Sequence, residues 1–237
     1  MKYNSAKISD KISKYYETGN VTISQFMTPA EIKEVNSELK EVEHKIWGGL
    51  KDAERKIIFI GTSEPNYEEY MNVIRITADM EFTHRSVLGS IMNTGVKREV
   101  IGDIIVGEEC SDVIVMKSIA KFLLLNLRYV GKEKVKVEEV ALNEIIRPEK
   151  EEKEIHASVS SLRVDAVISA GFGFPRDKSK NIVKDYGVKV NYEVTNNPMH
   201  KINKGDIISV RGKGRLVLMD ILDKTKKGRT RIIVARQ

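Results

Sequence analysis

The sequence contains little of several residue types, and each scarcity excludes a class of protein. Cys110 is the one cysteine among 237 residues, so no disulfide can form within the chain and a reducing, cytoplasmic setting is expected. No run approaches 18 apolar residues, which excludes a membrane-spanning helix. The lysine-rich N-terminus lacks the apolar stretch of a secretory signal. The four histidines are scattered without metal-ligand spacing, so no metal is expected. No P-loop occurs in the sequence, and no other cofactor is expected either.

Positive charge is abundant but unevenly distributed. Residues 155–237 contain 17 Lys and Arg against 7 Asp and Glu, a balance of +10. The whole chain has 40 against 34, which leaves 23 against 27, a balance of −4, for residues 1–154. A basic module on a mildly acidic carrier indicates a polyanionic partner, with nucleic acid favoured over a membrane surface.

The N-terminal part predicts a small α/β unit over residues 1–65. Thr28 and Glu31 have capping-box spacing, and Pro29 falls at the first helical position. Apolar residues at helical spacing then predict one helical face, which comprises Ile32, Val35, Leu39, Val42 and Ile46. The following "RKIIFIG" has the composition of a buried strand.

Residues 66–146 have the element order β-α-β-β-α-β of the split ferredoxin-like plan. "HRSVLGSIMNTG" and "KSIAKFLLLNL" are the two predicted helices, and the four strands would form one sheet. Many RNA-binding domains share this plan, but so do unrelated proteins. The strands show no run of exposed aromatic residues of the kind that stacks bases in an RNA recognition motif.

Residues 147–157 predict a linker, because Pro148 and dense mixed charge cannot build a core. Residues 158–237 then predict two short helices on a small, mostly antiparallel sheet. The first helix would be capped by Ser160 or Ser161 and end before Gly171, and the second would end at Gly187. A hairpin turn is predicted at Lys226–Gly228. The predicted fold class of the chain is therefore α+β.

The second of these helices has the spacing of a phosphate-binding surface. Arg176, Lys180 and Lys184 follow one another at i, i+4 and i+8, which predicts one face, with Ile182 and Val183 opposite. Arg163 and Lys189 could extend this surface. Such a ridge follows phosphates without reading base sequence. The alternative is an ordinary solvated helix face.

Motifs of this region resemble the S4 RNA-binding domain, which has an Arg-x-Asp helix start, a basic second helix, a Val-x-Val-Asn strand and a Lys-Gly-Asp-x-Ile strand. The matching residues are Arg163 and Asp165; Arg176, Lys178, Ser179 and Lys180; Val188, Val190 and Asn191; Gly205 and Asp206. Many S4 domains have Asn-Gly at the turn after this strand. Here Tyr192 follows Asn191, which argues against a type I′ turn.

The resemblance continues outside this domain, because "GGLKDAERK" and "FTHRSVLGSIMNTGVKREVIGDIIV" look like segments of the bacterial YlmH family. That resemblance implies a non-catalytic RNA-binding protein of ribosome-associated quality control. It implies ribosomal RNA, tRNA and the large ribosomal subunit carrying stalled peptidyl-tRNA as partners, with no membrane role and a monomer off the ribosome. With the basic helix described above, it predicts nine RNA-binding residues: Arg163, Asp165, Arg176, Lys178, Ser179, Lys180, Lys184, Lys189 and Asn191.

Two other functions stay open. The first is an S4-containing RNA-modifying enzyme, a pseudouridine synthase or a methyltransferase. Against it, "RVD" at 163–165 lies in the RNA-binding module, and "GFGF" and "GKGR" lack the rest of a nucleotide-binding fingerprint. His84 and Arg85 could form an acid–base or phosphate pair, but a helix start capped by Thr83 is the favoured explanation. The second is a protein-interaction adaptor on the ribosome.

Overall fold

The structure, a computed structural model, describes residues 2–146 and 153–236, with side chains from Asn4 onward. Contacts divide the chain into two compact units, Met1–Pro148 and Glu149–Gln237. Both units combine helices with antiparallel sheets, which confirms the predicted α+β class. Within the described residues, no helix has the length and apolar character needed to cross a bilayer.

The first part of the N-terminal unit places two helices against a three-stranded antiparallel sheet of order β1-β3-β2. Its elements are α1 (Lys2–Thr18), β1 (Thr22–Ile23), α2 (Pro29–Glu34), β2 (His44–Trp47) and β3 (Ile57–Ile60). Helix α1 was not predicted. It buries Ile8 and partly buries Ile12 and Tyr15, a helical spacing that packs it on this sheet.

The helix predicted from Thr28 to Ile46 is correct only at its start. The capping box is present, since Glu31 N donates to Thr28 Oγ1 at 3.4 Å and Thr28 N donates to Glu31 Oε2 at 2.6 Å. Helix α2 nevertheless ends at Glu34. Asn36 and Ser37 follow the C-cap residue Val35, and both residue types favour turns because their side chains compete for backbone hydrogen bonds.

The remainder of that segment reaches the core without being helical. Val35, Leu39 and Val42 are 0%, 0% and 7% exposed, although turns connect them. Strand β2 then pairs antiparallel with β3, with Ile46 opposite Ile58. Apolar spacing of three and four residues therefore marked buried positions correctly but not the backbone conformation that brings them inward.

The second part of the unit has the element order β-α-β-β-α-β, as expected from the sequence. Its elements are β4 (Met71–Thr77), α3 (His84–Asn93), β5 (Ile101–Val106), β6 (Cys110–Met116), α4 (Lys117–Asn126), the short pair β7 (Tyr129–Val130) and β8 (Glu133–Lys134), and β9 (Lys136–Val140). The four long strands form an antiparallel sheet of order β5-β6-β4-β9, so the first and third strands of the motif are central.

Both faces of this four-stranded sheet are covered. On one face, Ile74 and Val113 pack with residues of α3 and α4 such as Val87 and Leu123. On the other face, the N-terminal strands supply the cover, in a cluster that includes Phe26, Ile57, Phe59, Met71, Val73 and Ile114. The boundary expected at residue 65 therefore lies within one compact unit, because the two parts share a core.

Polar contacts also join the two parts. The backbone N–H groups of Glu54 and Arg55 donate to the Asp103 carboxylate at 2.6 and 2.9 Å. The Arg55 guanidinium donates to the carbonyl oxygens of Phe26 and Ile101 at 2.7 and 3.1 Å. The loop before β3 is thus held onto β5 in two ways: its backbone binds the Asp103 carboxylate, and its Arg55 guanidinium binds Ile101 O.

The C-terminal unit is a six-stranded antiparallel sheet of order β10-β15-β14-β13-β11-β12, with two helices on one face. Its elements are β10 (Lys153–Val159), α5 (Val164–Phe172), α6 (Arg176–Asn181) followed by a π-helical turn (Ile182–Tyr186), β11 (Val188–Val190), β12 (Glu193–Thr195), β13 (Ile207–Val210), β14 (Gly214–Lys224) and β15 (Thr230–Arg236). A turn that includes Gly228, at φ +74°, joins β14 to β15 where the hairpin was predicted.

The predicted linker 147–157 needs correction at its C-terminal end. Residues 147–152 lie outside the described residues, but Lys153–Val159 forms β10 and pairs with β15 along its whole length. Ile155, Ala157 and Val159 alternate with polar residues, and Ala157 and Val159 pack in the core of the unit. This period of two is the pattern of a strand with one covered face, which the dense charge just before it obscured.

Candidate nucleic-acid interface

Asp165 is the centre of the charged groups around the two C-terminal helices. It lies in the first turn of α5 and is 2% exposed. Arg163 donates to it twice, from Nε at 3.2 Å and from Nη2 at 2.8 Å. Arg176 adds a longer contact from Nη2 at 3.4 Å and donates from Nη1 to Ser160 Oγ at 3.2 Å. One buried carboxylate thus positions two arginines that remain partly exposed.

The backbone around Arg163 explains why α5 begins later than predicted. Val164 N donates to His200 O and Ile202 N donates to Leu162 O, both at 2.9 Å. This antiparallel pairing keeps residues 162–164 extended, so the helix starts at Val164 with Arg163 as its N-cap, and not at Ser160 or Ser161. Arg163 and Asp165 are therefore neighbours across a helix start, where a short side-chain bridge can form.

The C-terminal end of α5 also differs from the prediction. Gly171 lies inside the helix, and the left-handed cap is Gly173, at φ +69°. A Cβ on Gly171 would lie 2.5 Å from Leu216 Cδ1, so the missing side chain allows α5 to pack closely on the sheet. Gly171, which was predicted to follow the end of the helix, is therefore required for close packing and does not end the helix.

Helix α6 is anchored by Ser179 and Val183, which are both 0% exposed. The Ser179 hydroxyl donates to Pro175 O at 3.4 Å, so this predicted RNA contact points inward. Ile182 is half-buried beside Val183, as expected. The buried side of α6 is the side on which Ser179 lies, and the lysines occupy the remaining surface.

Lys180 and Lys184 are exposed and have no ion-pair or side-chain hydrogen-bond partner among the described residues. They do not form a single straight row with Arg176. The turn after Asn181 is π-helical and holds more residues than an α-helical turn, so Lys184 is rotated away from the line of the first two. The N-terminal end of the predicted row, Arg176, is turned toward Asp165.

Lys189 does not join the surface of α6. Val188 and Val190 point into the core that packs beneath the helices. Because successive side chains of a strand alternate between faces, Lys189 lies on the opposite face of the sheet. The prediction that it extends the α6 surface is wrong for this reason, although Lys189 itself is exposed.

Asn191 supports a turn through both atoms of its side-chain amide group. Its Nδ2 donates to Asp206 Oδ1 at 2.8 Å, and its Oδ1 accepts from Ile207 N at 3.0 Å. Asn191 and Tyr192 both have positive φ, at 49° and 71°, between the paired residues Val190 and Glu193. This is the backbone of a type I′ turn, so the objection raised by Tyr192 is wrong.

A cluster of aromatic and basic side chains beside α6 was missed from the sequence. Phe172 and Phe174 stack with ring centroids 5.6 Å apart. Lys178 and Lys213 lie over the Phe174 ring at 4.8 and 5.9 Å, and Arg236 lies over the Phe172 ring at 5.1 Å. The signal was the pair of aromatics in "GFGF", which was interpreted only through its glycines. The cluster gathers three cations from three separate segments.

The structure offers little to the enzyme alternative. Asp165 of the "RVD" triplet is buried and paired, so it is not placed to act as a nucleophile. His84 is the first residue of α3, whose N-cap is Thr83 as expected. Burial raises the pKa of the Cys110 thiol, which keeps the thiol protonated. No cluster of three or more potential metal ligands occurs in the described ranges 2–146 and 153–236.

Comparisons with known proteins agree on one family. Residues 65–144 match a family model described as "Putative RNA-binding domain in YlmH". The chain is 37% identical over 196 residues to the "Ribosome-associated protein quality control protein P2" of Bacillus subtilis (strain 168), covering 80% of this chain and 76% of that protein. This chain belongs to the YlmH family. The resemblance to the YlmH family that the sequence segments indicated is therefore confirmed.

A solved structure shows a similar fold. The "Cell division protein ylmH from Streptococcus pneumoniae" superposes with a TM-score of 0.53 at 21% identity, over 61% of this chain and 93% of that one. At this identity the similarity establishes the fold alone. The matched family segment, 65–144, nearly coincides with the segment 66–146 delimited from element order in the sequence.

Proposed function

We propose that this chain is a non-catalytic RNA-binding protein that associates with the large ribosomal subunit. In this proposal it contacts ribosomal RNA and the tRNA of stalled peptidyl-tRNA complexes, in the cytoplasm, and is monomeric off the ribosome. Its C-terminal unit acts as an S4-type module and residues 66–146 as a ferredoxin-like domain. The Bacillus subtilis relative supports the process, since its name describes ribosome-associated quality control.

The observation that carries the proposal is the arrangement of cations around α6. Asp165 carries one negative charge, and Arg163 and Arg176 carry one positive charge each, so the three groups together have a net positive charge at the surface. Lys180 and Lys184 have no partner in the part of the chain that the structure describes, so their ammonium groups are available to phosphates. Unpaired cations held on a buried scaffold suit a partner whose charge is regularly spaced, as in an RNA backbone.

The corrections redefine the proposed contact residues. Arg163, Arg176, Lys178, Lys180 and Lys184 form the proposed RNA surface, with Lys189 on the other face of the sheet. Three other motif residues have supporting roles: Asp165 orients arginines, Ser179 packs inward and Asn191 holds a turn. Motif residues of this kind would affect RNA binding indirectly, through the rigidity of the surface.

The test is co-sedimentation of the full chain with purified large ribosomal subunits. The double variant Lys180→Ala with Lys184→Ala removes two unpaired cations without touching the Asp165 cluster. We expect about tenfold weaker association, and a plot of log K against log[salt] that is shallower by about 1.5, since each phosphate contact contributes about 0.7 to 0.9 to the slope.

The matched control is Lys40→Ala with Lys51→Ala, two exposed lysines of the N-terminal unit. It changes net charge by the same amount, so a non-specific charge effect would weaken both variants equally. Equal association of the α6 variant and the wild type, with both folded, would contradict the proposal. Association that survives RNase treatment of the subunits would favour the adaptor, and loss of a base modification in total RNA on deletion of the protein would favour the enzyme.

A further inference from the structure

The four-stranded sheet of the N-terminal unit cannot bind bases as an RNA recognition motif does. That mode needs an open sheet face with aromatic side chains on its central strands. Here β4 and β6, "MNVIRIT" and "CSDVIVM", contain no aromatic residue. The face away from α3 and α4 is also filled, with Met71 at 1% and Val73 and Ile114 at 0% exposure. Any RNA surface of this region must therefore lie elsewhere.

The outer side of α4 carries large apolar side chains that the fold leaves in solvent. Phe122 is 42% exposed, Leu125 58% and Tyr129 56%. Phe122 and Leu125 are three residues apart on the helix, so their side chains are neighbours on one face. The inward face is filled by Ala120 and Leu123, which are 2% and 0% exposed. The core therefore does not require Phe122 and Leu125, and their exposure calls for another explanation.

The same segment is strongly basic inside an acidic unit. Residues 117–136 contain six Lys and Arg against one Glu, a local balance of +5, whereas residues 1–154 as a whole balance at −4. Lys117 donates to Glu68 O and Lys136 pairs with Glu138. The four other cations make no ion pair or side-chain hydrogen bond with any residue that the structure describes: Lys121, Arg128, Lys132 and Lys134.

The chain after α4 keeps aromatic and basic groups together. Strands β7 and β8 form a tight hairpin in which Tyr129 is directly opposite Lys134, so the two side chains share a face. Val130 is 0% exposed and fixes the hairpin to the unit, and Gly131 N donates to Ser90 Oγ of α3 at 3.1 Å. Tyr129 is thus held in an exposed position beside a free ammonium group by a rigid attachment.

We propose that this surface, defined as Lys121, Phe122, Leu125, Arg128, Tyr129 and Lys134, binds unpaired nucleotides of RNA. Bases stack on Phe122 and Tyr129, and the surrounding cations neutralise the phosphates, as in proteins that bind single-stranded nucleic acid. The charge favours RNA over a protein partner, because apolar protein-binding surfaces are depleted of lysine at their centre. The inference rests on the proposed function and places a second RNA contact in the N-terminal unit.

The experiment uses the full chain with a fluorescent 12-nucleotide oligouridylate, and ultraviolet cross-linking followed by mass-spectrometric mapping. We expect uridylate adducts on Phe122 or Tyr129 of the wild type. Lys121→Ala with Phe122→Ala should weaken oligouridylate binding about tenfold, the scale of one lost stacking contact. Lys121→Glu with Arg128→Glu should weaken it at least as much while leaving every apolar residue in place.

The control is Lys14→Ala with Tyr16→Ala, which removes one exposed lysine and one exposed aromatic from helix α1. It should bind as the wild type does. Absence of adducts within residues 121–134, with unchanged affinity of both α4 variants, would overturn the inference. Cross-linking of this surface to a ribosomal protein in place of RNA would also overturn it.

The two proposals fail separately. If Lys180→Ala with Lys184→Ala leaves subunit association unchanged, the proposed function of α6 fails, while adducts at Phe122 would still stand. If α6 behaves as proposed and no adduct forms near α4, only the second contact is wrong.

Discussion

Asp112 and Asp165 are the two charged residues that are fully buried in the described part of the chain, one in each unit. Both bind an arginine through two hydrogen bonds, Arg75 at 2.8 and 2.8 Å and Arg163 at 3.2 and 2.8 Å. They differ in the use of the remaining acceptor capacity. Asp112 accepts from Ile146 N at 2.8 Å, whereas Asp165 accepts from a second arginine, Arg176.

The difference shows how one kind of ion pair serves two purposes. Arg75 also donates to Glu144 O at 2.7 Å, so this pair ties down the last described residues of the N-terminal unit. Hydrogen bonding to Asp112 raises the pKa of Arg75, so the guanidinium stays protonated at any ordinary pH. The Asp165 pair closes no segment of this kind and instead keeps an unbalanced positive charge at the surface. The first is a structural tether and the second a device for presenting cations.

The largest expected effect on stability is that of Asp112→Asn. The change leaves Arg75, which is only 22% exposed, without its counter-charge and weakens the acceptor for Ile146 N. Removal of one partner from a buried pair costs about 3 to 5 kcal/mol in free energy of unfolding. Urea titration followed by circular dichroism measures it, with the exposed Asp79→Asn as control. A midpoint equal to that of the control would mean that the tether has no structural role.

Asp165→Asn should destabilise the C-terminal unit less, by about 2 to 3 kcal/mol, because Arg163 and Arg176 are 31% and 44% exposed and recover part of their hydration. Unlike Asp112→Asn, it should also weaken large-subunit association of the folded protein, since both arginines lose their orientation. Co-sedimentation with large subunits, under conditions where each variant is folded, separates the effect on association from the effect on stability. Equal loss of large-subunit association in Asp112→Asn and Asp165→Asn would contradict the distinction between a structural ion pair and one that presents cations.

The two arginines around Asp165 should not be equivalent. Arg163→Ala removes two hydrogen bonds to the buried Asp165 and should cost about 2 kcal/mol. Arg176→Ala removes one long contact to Asp165 and an exposed hydrogen bond to Ser160, and should cost about 1 kcal/mol. Thermal melts of the two variants rank them. The reverse ranking would show that Arg176, and not Arg163, is the principal partner of the carboxylate.

The smallest expected effect on stability is that of Lys180→Ala, below about 0.5 kcal/mol, because an exposed and unpaired cation contributes little to folding. Its effect on association with large subunits should still be measurable, at about threefold, and roughly half of the double variant's effect on a logarithmic scale. A loss of stability comparable to that of Arg163→Ala would indicate that Lys180 belongs to the scaffold.

The positions of the charged residues could be predicted from the sequence more accurately than their interaction partners. Spacing along the chain predicted that Arg176 and Lys180 share one helical face, and Arg163 was predicted as an extension of that surface. It could not show that Asp165 would pair with Arg176, eleven residues away, or that Asn191 would hydrogen-bond to Asp206, fifteen residues away. Partners separated in this way are determined by how the helices and strands pack, which residue spacing does not encode.

The errors in the fold have equally specific causes. Lys189 lies between two inward valines, so the period of two already placed it on the face away from the helices, and the prediction overlooked that signal. The segment after Glu34 was different, because its apolar spacing suits a helix and only the pairing of β2 with β3 makes its end a strand. The alternation of side chains along β11 was enough to predict the face on which Lys189 lies. The strand at the end of the segment after Glu34 could be predicted only from its pairing with β3, which the local sequence does not show.

The covered sheet has a consequence for experiments on fragments. The segment recognised by the family model begins at residue 65, so a fragment with those limits would lack Phe26, Ile57 and Phe59. Met71, Val73 and Ile114 would then form an open apolar surface, of the kind that drives self-association. A fragment that starts at the N-terminus of the chain would keep this surface sealed. The segment that the family model matches is therefore shorter than the segment needed to cover the apolar face of its sheet.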